Sequence, residues 1–329
     1  MTGKFGIGRI PLWVAVAPLV LGVLVWWLVW RGHAADFKAE IAALLPPGAQ
    51  VSATGFPYRL QARITHVDVA HSDNALRARL RAGEIAVNRV PWQKDRQVLN
   101  LADSVAEVAL APLAGATVRV QAREAQGSLR LDGTLIARLS AVWEAPVIAT
   151  GLFAAPMTAD RFEAHLRETP SVNGSREPRN PRLPTQAQLV LSGTGVRFGG
   201  GDPLTLAFDS EITAGARLQA LAQWATDGTV ELRSVRLADG TGEVARIAGT
   251  IVPTGAGALR IAGTIETICP ANVRAAMAGL PAVSEKRVRK AEVIAFSGTL
   301  PGGVVAEPRD PAAPPAPVRG QEPACPRLR

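Results

Sequence analysis

From Ile10 to Trp30 the chain runs 21 residues without a charged side chain. At about 1.5 Å per residue, a helix of that length crosses the hydrocarbon core of a bilayer. Lys4 and Arg9 precede the run, and Arg31, Asp36 and Lys38 follow it with little net charge. Positive flanks stay in the cytoplasm, so the N-terminus is expected there and the bulk of the chain on the other side. The competing reading is a cleaved secretory signal, for which Gly32-His33-Ala34 offers small residues. A cleavable apolar region spans about 7–15 residues, whereas this one is longer and ends in Trp26, Trp27 and Trp30, residues suited to the membrane-water interface. An uncleaved anchor fits better, with a kink expected at Pro18.

Charge excludes one class of partner. The chain carries 36 Lys and Arg against 28 Asp and Glu, a net charge of +8. The basic residues form no concentrated stripe interleaved with aromatics, so no nucleic acid is expected as a partner. Anionic lipid headgroups are the better match. Cys269 and Cys325 are the only cysteines. In an oxidising compartment they can pair and tie the tail to the domain; the alternative is two free thiols. No zinc-ligand spacing surrounds them, and neither a metal nor a cofactor is expected.

After Asp36–Leu45, read as a short helix ended by Pro46-Pro47-Gly48, the period changes to two. Tyr58, Leu60, Ala62 and Ile64 alternate with Arg59, Gln61, Arg63 and Thr65. The parity switches at Thr65-His66, after which Val67 and Val69 take the apolar positions, so a bulge is expected there. Leu76, Ala78 and Leu80 alternate with Arg77, Arg79 and Arg81. Further strands are expected at 84–90, 97–102, 104–110, 117–124, 127–131 and 134–143, then at 186–192, 204–212 and 229–237. Arg246-Ile-Ala-Gly-Thr-Ile251 recurs identically as Arg260–Ile265, the spacing of one strand plus its turn. Helices are expected at 158–167, 217–225, 270–278 and 284–295. The last carries Lys286, Arg287, Arg289 and Lys290 as a basic cluster that could meet a membrane or cover the sheet.

The fold class is thus mainly β with a few helices: a transmembrane helix followed by a large curved antiparallel sheet in two halves. The organisation reads as a cytoplasmic N-terminus (1–9), anchor (10–30), first β-rich half (31–168), Pro-rich loop (169–184), second β-rich half (185–300) and Pro-rich disordered tail (301–329).

His66-Val-Asp68 followed by His71-Ser-Asp73 is the one cluster that resembles a site, and its alternative is a polar strand face running into a turn. No nucleophile elbow, zinc-binding helix, P-loop or dinucleotide-binding turn is present. Gly199-Gly200-Gly201 precedes a strand and reads as a turn. No catalytic residue is assigned. Tyr58, Leu60, Ile64, Leu76 and Leu80 are candidates for a lipid-facing or core sheet face. Arg59, Arg63, Arg77, Arg79 and Arg81 are candidate headgroup contacts, or else solvated charges that keep a strand from aggregating.

The anchor, Gly55-Phe-Pro-Tyr-Arg-Leu60, Val90-Pro91-Trp92 and Trp224-Ala-Thr-Asp-Gly228 before strand repeats ending in Gly-Thr together resemble the alphaproteobacterial family known as domain of unknown function 2125. More distantly the chain resembles AsmA-like envelope proteins. The resemblance implies an inner-membrane protein with a curved periplasmic sheet, in a group associated with phospholipid handling or outer-membrane assembly; it carries over no catalytic residue. The expected function is non-enzymatic: lipid binding or handling in envelope maintenance, or alternatively a scaffold or assembly factor for an envelope protein partner.

Overall fold

In the computed structural model the described residues are 12–47, 49–73, 76–110, 116–133, 135–151, 155–169, 183–215, 224–226, 228–254, 258–300, 302–308, 320 and 322–329. A 32-residue helix, α1 (Leu12–Ala43), opens the chain and merges the expected anchor with the short helix after it, running through Pro18. The strands follow as β1 (Val51–Thr54), β2 (Leu60–Ser72), β3 (Leu76–Arg89), β4 (Arg96–Leu110), β5 (Ala116–Asp132), β6 (Leu135–Glu144), β7 (Val147–Thr150), β8 (Met157–Thr158) and β9 (Arg161–Glu168). Then come β10 (Thr185–Phe198), β11 (Leu204–Thr213), β12 (Thr229–Asp239), β13 (Gly242–Pro253), β14 (Leu259–Thr267), a helix α2 (Pro270–Met277), β15 (Glu292–Leu300) and β16 (Gly303–Ala306).

All sixteen strands join one antiparallel sheet. Pairings among β5, β6, β9, β10, β8 and β7 close a six-stranded ring at its centre. The registers explain that ring. Glu144 of β6 faces Glu124, and Val147 of β7 faces Gln121, so both segments advance along β5 in step. Glu144 likewise faces Arg161 of β9 while Val147 faces Thr158 of β8. Thus β6 continues into β7, and β8 into β9, as two long strands of a meander.

What interrupts them is a crease. Along five of the crossing strands two successive residues point to solvent: Thr65-His66, Ala102-Asp103, Arg123-Glu124, Glu144-Ala145 and Asp160-Arg161 are all exposed. Positive φ angles at His66 (54°), Asp103 (47°), Ala145 (47°) and Gly195 (62°) recur on alternate strands along this line. A left-handed residue inverts side-chain parity without inserting a residue, and the neighbouring strand inverts opposite it. His66 is accordingly not a one-sided bulge: Thr65↔Glu84 and Val67↔Ala82 keep the same register across it.

The parity switch keeps one apolar face continuous. On one flank a row runs Ile64, Ile85, Leu101, Ala125, Trp143, Phe162, Gly193 and Leu206 in successive register. On the other, Val67, Ala82, Ser104, Ala122, Pro146, Ala159, Val196 and Leu204 are all buried, and most are small. Residues of both flanks, Ile148, Met157 and Val196 with Phe162 and Leu206, share one core cluster. The sheet is therefore folded along the crease with its apolar face inside.

The repeated hexapeptide forms neighbouring strands β13 and β14, with Gly249 opposite Gly263. A Cβ on Gly263 would stand 2.2 Å from the Ala248 carbonyl oxygen and 2.9 Å from the Phe296 ring. Glycine there admits the close backbone approach and the ring above it.

Two expected helices are corrected. Residues 158–167 are strand, because Phe162, Ala164 and Leu166 follow the two-residue period of a sheet face and pair with β6 and β10. His165 therefore lies on β9. Residues 284–295 form no helix: Lys286 makes an isolated bridge to Ala324, and β15 begins at Glu292. Helix α2 matches the segment expected at 270–278. The loop expected at 169–184 and the helix at 217–225 fall largely outside the described residues. The expected tail is ordered in part, as β16 and as residues 322–329.

Candidate functional site

Helix α1 has two characters along its length. Trp13 and most of the large apolar side chains from Val16 to Val29 are exposed, for example Leu19 (70%) and Leu28 (61%), with Trp26 half-buried. It is the one described helix long and apolar enough to cross a membrane. From Trp30 onward, Trp30, Ala34, Phe37 and Ile41 fall at helical spacing and are buried against Leu60, Ala62, Ile64, Ile85 and Val87. Each large side chain removed from water this way stabilises docking by roughly 1.5–3 kcal/mol. Polar contacts fix the register. The Trp26 and Trp30 indoles donate to the carbonyl oxygens of Pro57 (2.9 Å) and Arg59 (3.1 Å), and Phe56 meets Trp30 edge-on at 5.5 Å. The buried Arg89 guanidinium pairs with Glu40 at 2.7 Å and lies 4.4 Å over the Phe37 ring.

The apolar face continues past the helix. Helix α2 covers the opposite margin with Val273 and Met277 against Ile265, Ile294 and Phe296, and Trp224 packs on Ile212, Val230 and Ile251. Between these margins, Leu129, Leu166 and Leu189 are only half-buried, and Leu139 is 38% exposed. No helix among the described residues lies over them. The result is an apolar trough, closed at both margins and open along its middle.

The outer face is polar. Arg63 pairs with Glu84 at 3.3 Å, Arg81 with Glu107 at 3.5 Å, and Arg79 holds Asp68 by two hydrogen bonds of 2.9 and 2.6 Å. The Arg79 hydrogen bond holds the Asp68 carboxyl below the usual carboxylate range. Arg161 bridges Glu144 and Glu163, and its hydrogen bond, with one from His165, lowers the Glu163 pKa. Exposed pairs of this kind contribute little stability each but keep the face soluble.

The candidate residues separate accordingly. Leu60 and Ile64 are buried beneath α1 and belong to the core. Tyr58 lies in the turn before β2 and is 77% exposed, so the strand begins two residues later than its alternation suggested. Leu76 and Leu80 are half-buried on the same face beyond the helix. Arg59, Arg63, Arg77, Arg79 and Arg81 are all exposed, and three of them are already paired with carboxylates. His66, Asp68, His71 and Asp73 do not converge: Asp68 is engaged by Arg79 and His71 by Asp73 at 3.2 Å. No group of three or more potential metal ligands occurs among the described residues. His66 and Asp68 do border a cavity of about 480 Å³ between Leu45–Pro47 and β2.

The cysteines pair, with Cα atoms 5.8 Å apart. Cys269 precedes α2, so the bridge pins residues 322–329 across this margin of the sheet as a strap. Arg327 completes the strap with hydrogen bonds to Asp202 of 2.7–3.1 Å, in the turn that contains Gly199–Gly201. Three of the four residues of the basic cluster are engaged here: Arg287 is buried against Asp239, Arg289 pairs with Glu322, and Lys286 donates to Gly320.

A buried polar network escaped sequence reasoning. Glu211 faces Glu231 across β11 and β12. Glu231 accepts from Thr250 (2.8 Å) and Thr229 (3.4 Å), and Glu211 from Arg233 and Thr185. Glu211-Ile-Thr213 and Thr229-Val-Glu231 have the alternation of any wet strand face, and nothing local to them signals burial.

Together these features define a class: a single creased β-meander fixed rigidly to an apolar N-terminal helix, with a disulfide-held strap. The chain belongs to a bacterial family of uncharacterised conserved proteins, DUF2125, whose sequence profile matches residues 48–305. The matched region runs from just after α1 to β16 and contains the whole crease. No curated protein and no solved structure was found to match the chain.

Proposed function

We propose that this protein is a non-enzymatic lipid-binding or lipid-handling factor of the bacterial envelope, held by α1 in the inner membrane with its sheet in the periplasm. The observation that carries this reading is the trough: an uninterrupted apolar face, folded inward along the crease, whose middle has no covering helix among the described residues. A monomeric soluble sheet normally covers such a face, and a trough lined by Leu side chains suits acyl chains. The disulfide fits an oxidising compartment, and the charged flanks of the apolar run fit the orientation.

The test is native mass spectrometry with lipid extraction on the full chain released from membranes in a mild detergent. Near-stoichiometric phospholipid that survives detergent exchange, and that falls severalfold on Leu139→Asp, is expected. Lipid-free protein, or lipid unaffected by that substitution, overturns the reading.

A scaffold for an envelope protein is the second reading. It is favoured by the second half of the sheet, whose face is closed by α2, Trp224 and the strap. In that case in vivo crosslinking through the outer polar face would capture one dominant protein partner while the trough remained lipid-free.

A further inference from the structure

We propose that the end of the sheet formed by the turns 55–59 and 90–95 is seated in the outer headgroup layer of the bilayer, with Tyr58 and Trp92 as interfacial anchors. This rests on the reading of α1 as a membrane anchor.

The height of the turn is fixed by hydrogen bonds. Trp26 lies inside the uncharged run, yet its indole donates to Pro57, and Trp30, one turn later, donates to Arg59. From Trp13 to Trp30 the helix rises about 26 Å, close to the thickness of a hydrocarbon core. The Gly55–Arg59 turn therefore stands beside the last turn of the span, where hydrocarbon gives way to headgroups. A sheet linked by a flexible tether would not be held at this depth.

The side chains at that end suit the layer. Tyr58 is 77% exposed, Trp92 69% and Phe56 40%. Leu60 faces Arg89 in the register, so the turns leading into β2 and out of β3 are neighbours on the same end of the sheet. Tyr and Trp each combine an apolar ring with a polar tip, and both favour membrane-water interfaces. Arg31 lies 5.0 Å over the Trp27 ring, and Arg59 and Lys94 are exposed nearby along the chain, which places cations where lipid phosphates lie.

The rest of the sheet points away. Beyond Trp30 the helix packs Ala34, Phe37 and Ile41 along the sheet, and Leu45–Pro47 reach Ile64–Val69. Strand β2 thus accompanies the helix out of the membrane, Leu60 lying about 23 Å nearer the bilayer than Val67 at roughly 3.3 Å per residue. The turn 239–242 joins β12 and β13 at the opposite end of their strands from this one.

The experiment uses the full chain in vesicles of phosphatidylcholine and phosphatidylglycerol. Single cysteines are introduced as Tyr58→Cys, Trp92→Cys, Gly240→Cys or Leu24→Cys and labelled with an environment-sensitive fluorophore; without reductant the native cysteines stay paired. Labels at 58 and 92 are expected to be quenched by nitroxide lipids and shielded severalfold from aqueous iodide relative to 240. If 24 is lipid-quenched while 58 and 92 are as open to iodide as 240, the seat is overturned and the anchor stands. If 24 is also open to iodide, the anchor reading fails and the seat fails with it.

Discussion

The carboxylate of Asp160 lies directly over Gly195: a Cβ on the glycine would stand 2.1 Å from Oδ2. The contact closes the crease on its β10 side, where Asp160 also donates its backbone N–H to Thr194 at 2.9 Å. Gly195→Ala must both displace Asp160 and hold alanine at φ 62°, so a loss of at least about 1–2 kcal/mol is expected in chemical denaturation. Ala145 sits at φ 47° on the same line. Ala145→Gly is expected to leave stability unchanged or raise it by up to about 1 kcal/mol. A stabilising Gly195→Ala would refute the crease as the element that orders the centre.

Leu60 and Ile64 support α1 from beneath. Either residue changed to Asp buries an unpaired carboxylate, and a loss of about 3 kcal/mol or more is expected, with α1 freed from the sheet and residues 30–43 open to proteolysis. Arg77→Ala, on the exposed face, should change stability by less than about 0.5 kcal/mol and leave the proposed lipid binding intact. If Arg77→Ala alone abolished lipid binding, headgroup attraction would replace acyl burial as the explanation.

The strap depends on its bridge. The disulfide spans 56 residues of sequence, and a loop of that size corresponds to about 4 kcal/mol of lost chain entropy in the unfolded state. Cys269→Ser or added reductant should lower stability by about 2–4 kcal/mol and raise hydrogen exchange in residues 322–329 and α2 before the crease responds.

Acid should loosen the same margin. Burial would raise the Asp239 pKa, but hydrogen bonds from Arg287 and Thr241 outweigh it and hold the carboxyl below its usual value; those from Arg327 do the same for Asp202. A carboxyl depressed on folding contributes its full stability above its unfolded pKa of about 3.9, and that share is lost as pH falls through the lower folded value. Denaturation midpoints are expected to hold through neutral pH and fall below about pH 4, less steeply in Asp239→Asn.

Local spacing along the chain encodes the apolar helix, the two-residue period that commits the chain to one antiparallel sheet, and the β13–β14 hairpin. It also marked the crease without naming it. The alternation breaks near Gly83, Asp103 and Ala125-Gln126, and strands expected to end there run through as β3, β4 and β5. A parity switch within one strand looks the same as the end of a strand; only the neighbours, switching on the same line, make it a fold in the sheet. Tertiary structure alone also decided which apolar residues became core. Leu60 and Leu139 both occupy the apolar face, but α1 buries the first and leaves the second open. Glu231 and Arg81 occupy outward positions of similar strands, yet one is 2% exposed and the other is in solvent. Which surfaces meet depends on where a helix anchored 20 residues earlier comes to rest, and no local period encodes that.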